Sequence, residues 1–384
     1  MNESVCGIIP DKEWLNTELQ FTYQKIISNL DTFTDNVPSP ASKNLQYIPE
    51  ENTDWTASFW VGMLWLCWEY KQDGRIAAVI QKQMGAFQNR LENDIGLHTH
   101  DVGFLYSLSA VAAYRLTRDR RAKDMAVKAA DKLMERYSET AGIFQAWGEM
   151  DDPGAQGRMI IDCNMNLPLL YFASEQTGDP KYHIAAVRHA DQAKKYLVRS
   201  DGTTFHTFYM DVITGGPRFG RTHQGYSDDS CWARGQAWAI YGFALSYLHT
   251  GDISYLETAC RLADYFISRL PGDWVCYWDL VFTDGDEERD SSAASIVACG
   301  LLEIAKHLPL SDPRRGKYEN IALSIIRSLA DCYTTKNTPQ SNGLLLHAVY
   351  AKPENRGVDE CCIWGDYFYL EALIRLYKIW YPYW

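Results

Sequence analysis

The chain has 384 residues, 46% hydrophobic and 22% charged, enough for one sizeable core and long for one ordinary domain. Its formal charge of −12 at pH 7 disfavours nucleic acid or an anionic membrane surface as the main partner. Any anionic substrate must therefore be held by local arginines against the overall field.

Met1 to Pro10 offer neither a basic stretch nor a long apolar core, so no signal peptide is expected there. No apolar run approaches the roughly 20 residues of a membrane span. The 10 cysteines lack a framework spacing, and the adjacent Cys361 and Cys362 suit neither a common disulfide nor zinc. A reducing cytoplasm is expected. The 24 tyrosines and 13 tryptophans exceed what a core needs. They fit rings that cover the apolar faces of sugars, or large helix interfaces.

From residue 11 onward two helix styles alternate. The first is amphipathic: Trp14–Leu30, Arg75–Leu91, Asp119–Tyr137, Asp179–Leu197, Asp252–Leu270 and Asp312–Cys332. Thr177-Gly178-Asp179-Pro180 closes one helix at glycine and opens the next with an Asp cap and proline, and Gly251-Asp252 and Ser311-Asp312-Pro313 repeat that chemistry. The second style is apolar on nearly all sides: Trp55–Tyr70, Asp101–Thr117, Asp162–Thr177, Arg234–Thr250, Asp290–Leu308 and Trp364–Trp380. A helix apolar all round is buried. Pairs recurring about every 50 to 70 residues predict an all-α (α/α)6 barrel, six inner helices within six outer ones, because an open solenoid would leave its inner layer half exposed. One domain, 1–384, is expected, as a monomer or weak homo-oligomer.

Links from inner to outer helix are short, and those from outer to inner are long and aromatic. The long ones (31–54, 138–161, 198–233, 271–289 and 334–363) are expected as rim loops that carry function at the inner helix N-termini. There Asp162 follows two isoleucines and precedes an apolar helix, and Asp101 heads the inner helix before it. Asp162, Asp101 and Asp290 all fit helix caps. Two acids on consecutive inner helices also fit a pair that pushes one pKa upward, a proton donor beside an ionised partner. His98, His100 and Asp101 have the look of a metal cluster but lack a comparable further ligand, so no metal is expected. His206, between aromatics in a rim loop, fits either a substrate contact or a structural histidine. Arg234 and Trp238, one turn apart, fit a guanidinium taking a sugar carboxylate while an indole covers the ring, or a plain packing stack.

At these residues the chain resembles the unsaturated glucuronyl hydrolases, the family-88 glycoside hydrolases. The likeness runs from Trp55 to Trp364-Gly365-Asp366-Tyr367. It is sharpest in His100-Asp101-Val102-Gly103-Phe104, Ile161-Asp162-Cys163-Asn164-Met165-Asn166 and Trp232-Ala233-Arg234-Gly235-Gln236-Ala237-Trp238. The Trp-x-Arg-Gly piece also resembles the unsaturated rhamnogalacturonyl hydrolases. The resemblance implies an (α/α)6 barrel, no cofactor, and as partner an oligosaccharide ending in a 4-deoxy unsaturated uronic acid. It implies that Asp162 protonates carbon four of the vinyl ether and then activates water toward carbon five, with Asp101 tuning it. His100, His206, His223, Gln224, Arg234 and Trp238 would hold the uronate, and Trp55 and Trp147 would line the site. Members that prefer sulfated fragments are expected to carry Ser-x-x-Ser-x-Lys before the last inner helix. Ala351 to Glu360 offers Lys352 and Arg356 but no serine pair, with His223 where an arginine might be expected to assist. Alternatives are a rhamnogalacturonan-fragment hydrolase with the same chemistry and a non-catalytic carbohydrate-binding barrel.

Overall fold

Six amphipathic helices begin alike. In this computed structural model, which describes residues 11–384, they are α1 (Lys12–Asn29), α3 (Gly74–Glu92), α6 (Arg120–Met134), α8 (Pro180–Gln192), α10 (Ile253–Ser268) and α12 (Pro313–Ser328). The residue before each is an aspartate (Asp11, Asp73, Asp119, Asp179, Asp252, Asp312) whose carboxylate accepts the N–H two residues on. That bond satisfies a donor the helix leaves free. The Met1–Pro10 expectation lies outside the described residues.

Between them run helices buried along most of their length, α2 (Ala57–Tyr70), α4 (Val102–Tyr106), α7 (Pro168–Thr177), α9 (Ala233–Thr250), α11 (Ser291–His307) and α13 (Ile363–Tyr377), and the short α5 (Ala112–Thr117), buried only at its start. A π turn, Ser107–Val111, joins α4 to α5. Contacts run from α2 to α4, α7, α9, α11 and α13, and α13 returns to α2. The protein is mostly helical.

Two features depart from the sequence expectation. The predicted helix at Asp162–Thr177 begins instead as a 3-10 turn, Ile161–Met165, and α7 starts only at Pro168. Proline has no N–H to give and clashes with the preceding turn, so the α-helix cannot run upstream through it. Asp162 thus lies in a tight turn, not at a helix cap. The rim links are also not plain loops. They hold β1 (Val37–Pro38) on β2 (Pro49–Glu50), β3 (Tyr137–Ser138) on β4 (Ile143–Phe144), and a sheet of β5 (Arg158–Ile160), β6 (Thr207–Met210) and β7 (Pro217–Arg221). A last hairpin pairs β8 (Ala348–Ala351) with β9 (Arg356–Glu360). Runs of two to five residues carry too little alternation to be read as strands.

Candidate active site

Asp162 comes one residue after Ile161, which follows directly on β5 and whose N–H donates to the carbonyl of His206 at 3.1 Å. That bond fixes the turn beside the loop leading into β6. Asp162 itself is partly buried. Its Oδ1 is fully enclosed and has no hydrogen-bond partner among the described residues. Enclosure pushes the acid up to about 7; the Arg234 charge works against this and the Asp101 charge adds to it. An acid in this state is protonated for an appreciable fraction of the time at neutral pH.

Asp101 precedes α4 but does not cap it. Its carboxylate accepts from Thr99 Oγ1 at 2.8 Å and lies 3.3 Å from His100 Nε2. Enclosure raises it to about 6, opposed by the bonds from Thr99 and Asn166 and by the Arg136 and Arg90 charges. Burial holds the His100 ring down at about 3, so it lies beside the carboxylate as a neutral imidazole and not as a cation.

Asn166 ties the two acids together. Its side chain helps to lower the Asp101 carboxyl, its Oδ1 accepts the Phe104 N–H at 2.6 Å, and its Nδ2 reaches the Asp162 carbonyl at 3.5 Å. The backbones meet closely there: a Cβ on Gly103 would stand 2.3 Å from Asn166 Cα.

The other predicted residues fall into two groups beside this pair. In one, His206 Nδ1 accepts the N–H groups of His223 (3.1 Å) and Gln224 (3.2 Å). Its proton therefore sits on Nε2. The ring lies 4.4 Å from Trp232 and is held well below its ordinary pKa by burial. Trp147, 39% exposed, meets the edge of His223 at 5.5 Å. In the other, the Trp55 indole stacks on Trp364 at 5.4 Å and donates to the Tyr350 hydroxyl at 3.0 Å. Gln224 Nε2 donates to the Tyr350 carbonyl at 3.1 Å and links the groups.

Arg234 and Trp238, one turn apart on α9, are both buried, as a packing stack would require. The guanidinium lies between Trp232 (4.4 Å) and Trp364 (4.8 Å), and its two terminal nitrogens donate to the Val349 and Tyr350 carbonyls of β8. Each terminal nitrogen thus gives one of its N–H groups to backbone, while Nε has no partner among the described residues. Trp238 is fully buried against Phe104 (5.2 Å) and Phe368 (5.5 Å), which leaves its indole no open face. Asp290 is a true cap: its Oδ1 accepts from the N–H groups of Ser292 and Ala293, and its Oδ2 lies 3.7 Å from Arg234. His98 and His100 diverge. His98 is largely exposed beside Asp94, while His100 is buried.

Sequence reading assigned no role to Asn166, Tyr350, Trp364 or Trp232. Asn166 had a legible signal, since it lies one turn after Asp162 within the same motif. Tyr350 had none, because its strand was read as loop.

The Glycosyl Hydrolase Family 88 model matches residues 30–304. This chain belongs to Glycosyl Hydrolase Family 88. It is an enzyme, a glycosidase, as the motif resemblance implied. An unsaturated chondroitin disaccharide hydrolase of Streptococcus agalactiae is 47% identical over 362 residues, 94% of this chain and 91% of that one. The crystal structure of the unsaturated glucuronyl hydrolase of Bacillus sp. GL1, described as responsible for glycosaminoglycan degradation, superposes with a TM-score of 0.93 at 43% identity. It covers 95% of this chain and 97% of its own. A Streptococcus agalactiae unsaturated glucuronyl hydrolase with one Asp changed to Asn, complexed with dGlcA-GalNAc6S, gives a TM-score of 0.89 at 43% identity. The coverage there is 99% and 96%. Family members thus span this chain almost end to end, including both acid-bearing turns.

Proposed function

We propose that this enzyme releases the terminal 4-deoxy unsaturated glucuronic acid from lyase-generated, glycosaminoglycan-type disaccharides by hydrating the vinyl ether. The observation that carries this reading is Asp162: an acid raised to about 7 whose enclosed oxygen lacks a partner, with a second carboxylate in its field. Protonating carbon needs an acid that is neutral near the working pH. Asp162 gives its proton to carbon four, and the oxocarbenium character that develops is stabilised by the carboxylate left behind. Water then attacks carbon five and returns a proton to Asp162. The hemiketal opens and expels the neighbouring sugar. One water is consumed and the acid is restored.

Asp101 tunes Asp162 through its charge. His100, His206, His223, Gln224, Trp55 and Trp147 hold and cover the uronate. Arg234 and Trp238 belong to the same site: Arg234 acts on Asp162 through its charge and braces β8, and Trp238 packs beneath Phe104. The distance rule for retaining and inverting glycosidases does not apply, since the sugar–oxygen bond is not the one attacked. The cyclic contacts among the buried helices support a closed (α/α)6 barrel with this site at its mouth. Nine described cysteines, all free thiols, fit a reducing cytoplasm.

The test follows loss of the unsaturated uronate's absorbance. Chondroitin and hyaluronan disaccharides are expected to turn over, and rhamnogalacturonan disaccharide hardly at all. The reverse order would move the assignment to rhamnogalacturonan fragments. Binding without turnover of any of them would leave a carbohydrate-binding barrel.

A further inference from the structure

One face of the β5–β6–β7 sheet carries a ladder that the chemistry at Asp162 does not use. Arg158 stands opposite Tyr209, and Tyr209 opposite Phe219. The Tyr209 and Phe219 rings stack at 4.7 Å. The Arg158 guanidinium lies between Tyr209 (5.5 Å) and Trp147 (4.8 Å), and its Nε donates to the Tyr209 hydroxyl at 3.0 Å. Residues two apart on a strand share a face, so Arg221 stands beside Phe219 on this same side.

The opposite face is covered. There Phe208 pairs with Gly220 and stacks on Tyr196 at 5.4 Å, and Gly220 lies so close to Phe205 that a Cβ would meet its ring at 2.5 Å. On the ladder's side Arg158 and Tyr209 are themselves buried, and exposure begins at Phe219 and Arg221. Phe219 is 44% exposed, and Arg218, the extra residue where the register shifts, lies over its ring at 5.4 Å. Nearby acids are already engaged: Asp211 accepts the N–H groups of Ile213 and Thr214, and Asp228 accepts that of Thr222. On a chain of net charge −12, the exposed edge of this sheet sets the cations Arg218 and Arg221 on either side of the Phe219 ring. It joins the candidate active site through Trp147 and His223.

We propose that this face is an accessory subsite for the distal anionic sugars of oligosaccharides longer than a disaccharide. It rests on the function argued above. The unsaturated end sits at Asp162, the next unit passes Trp147, and a further uronate meets Arg221 while its apolar face rests on Phe219. Rings suit the C–H face of a sugar, and a guanidinium suits its carboxylate.

The experiment measures KM and kcat separately for the unsaturated hyaluronan disaccharide and tetrasaccharide, in the wild type, Phe219→Ala, Arg221→Gln and Arg221→Lys. For the tetrasaccharide, KM is expected to rise about three- to fivefold in Phe219→Ala and Arg221→Gln, the size of one exposed contact. Arg221→Lys should keep most of the wild-type value. The disaccharide KM and both kcat values should stay unchanged. If the two substrates shift together, or neither shifts, the subsite is refuted while the function stands. A wild type that turns over neither substrate would overturn the function reading, and this one with it.

Discussion

At the start of each outer helix an aspartate accepts the N–H two residues on and lies at the surface. At the start of the buried helices, Asp101 and Asp162 make no such bond. The outer carboxylates are stabilised as anions: Asp252 is held low by the Ser254 N–H, and Asp119 and Asp312 by the arginine two residues on. The inner pair moves the other way, to about 6 and about 7, because enclosure disfavours the charge and few donors offset it. The same side chain is thus a clamped anion in one place and an acid of raised pKa in the other. What separates them first is whether water reaches the oxygens, since the capped but fully buried Asp290 is raised as well.

The sign of each shift carries over to stability. An acid whose folded pKa is depressed stabilises the fold above its unfolded pKa, and that contribution is lost as pH falls. Asp162 is raised from 3.8 to about 7, so between those values the folded state holds more protons. Its contribution to stability therefore declines as pH rises through that window.

The contrast is broken most severely by Asp162→Asn, expected to lower kcat/KM about 10²- to 10⁴-fold, the range of one general acid–base group. The same variant should melt higher than wild type at pH 8, by about 1–3 kcal/mol of stability, and match it at pH 4. Retention of most of the rate would show that the acid lies elsewhere. Asp101→Asn should lower the rate less, about 10- to 100-fold. It should also move the alkaline limb of kcat/KM to lower pH, because the charge that raises Asp162 is gone. A limb that stays at about pH 7 would detach the two acids from one another. The outer aspartates supply the control: Asp252→Ala should cost about 1 kcal/mol in guanidinium melts with the rate unchanged.

The helical pairing was legible because buried helices are apolar all round and Gly-Asp or Asp-Pro punctuation marks the outer starts. The motifs around Asp101, Asp162 and Arg234 carried the family. Less legible was what those side chains touch. Arg234 and Trp238 share a helix face, as their spacing required, yet the fold packs a tryptophan against each side of the guanidinium and turns it onto the β8 carbonyls. Spacing along one helix cannot report a strand more than a hundred residues away. The turn at Asp162 was misread for a local reason, since Pro168 permits helix only beyond it.

Gly103 has no functional group, yet it sets how closely the segment that carries Asp101 meets the one that follows Asp162. With backbone resting on backbone at Asn166, no rotamer change can absorb an added atom. Gly103→Ala must wedge one acid-bearing segment off the other. Such a variant, folded but slow, would show that the spacing of these two segments is set by main chain resting on main chain.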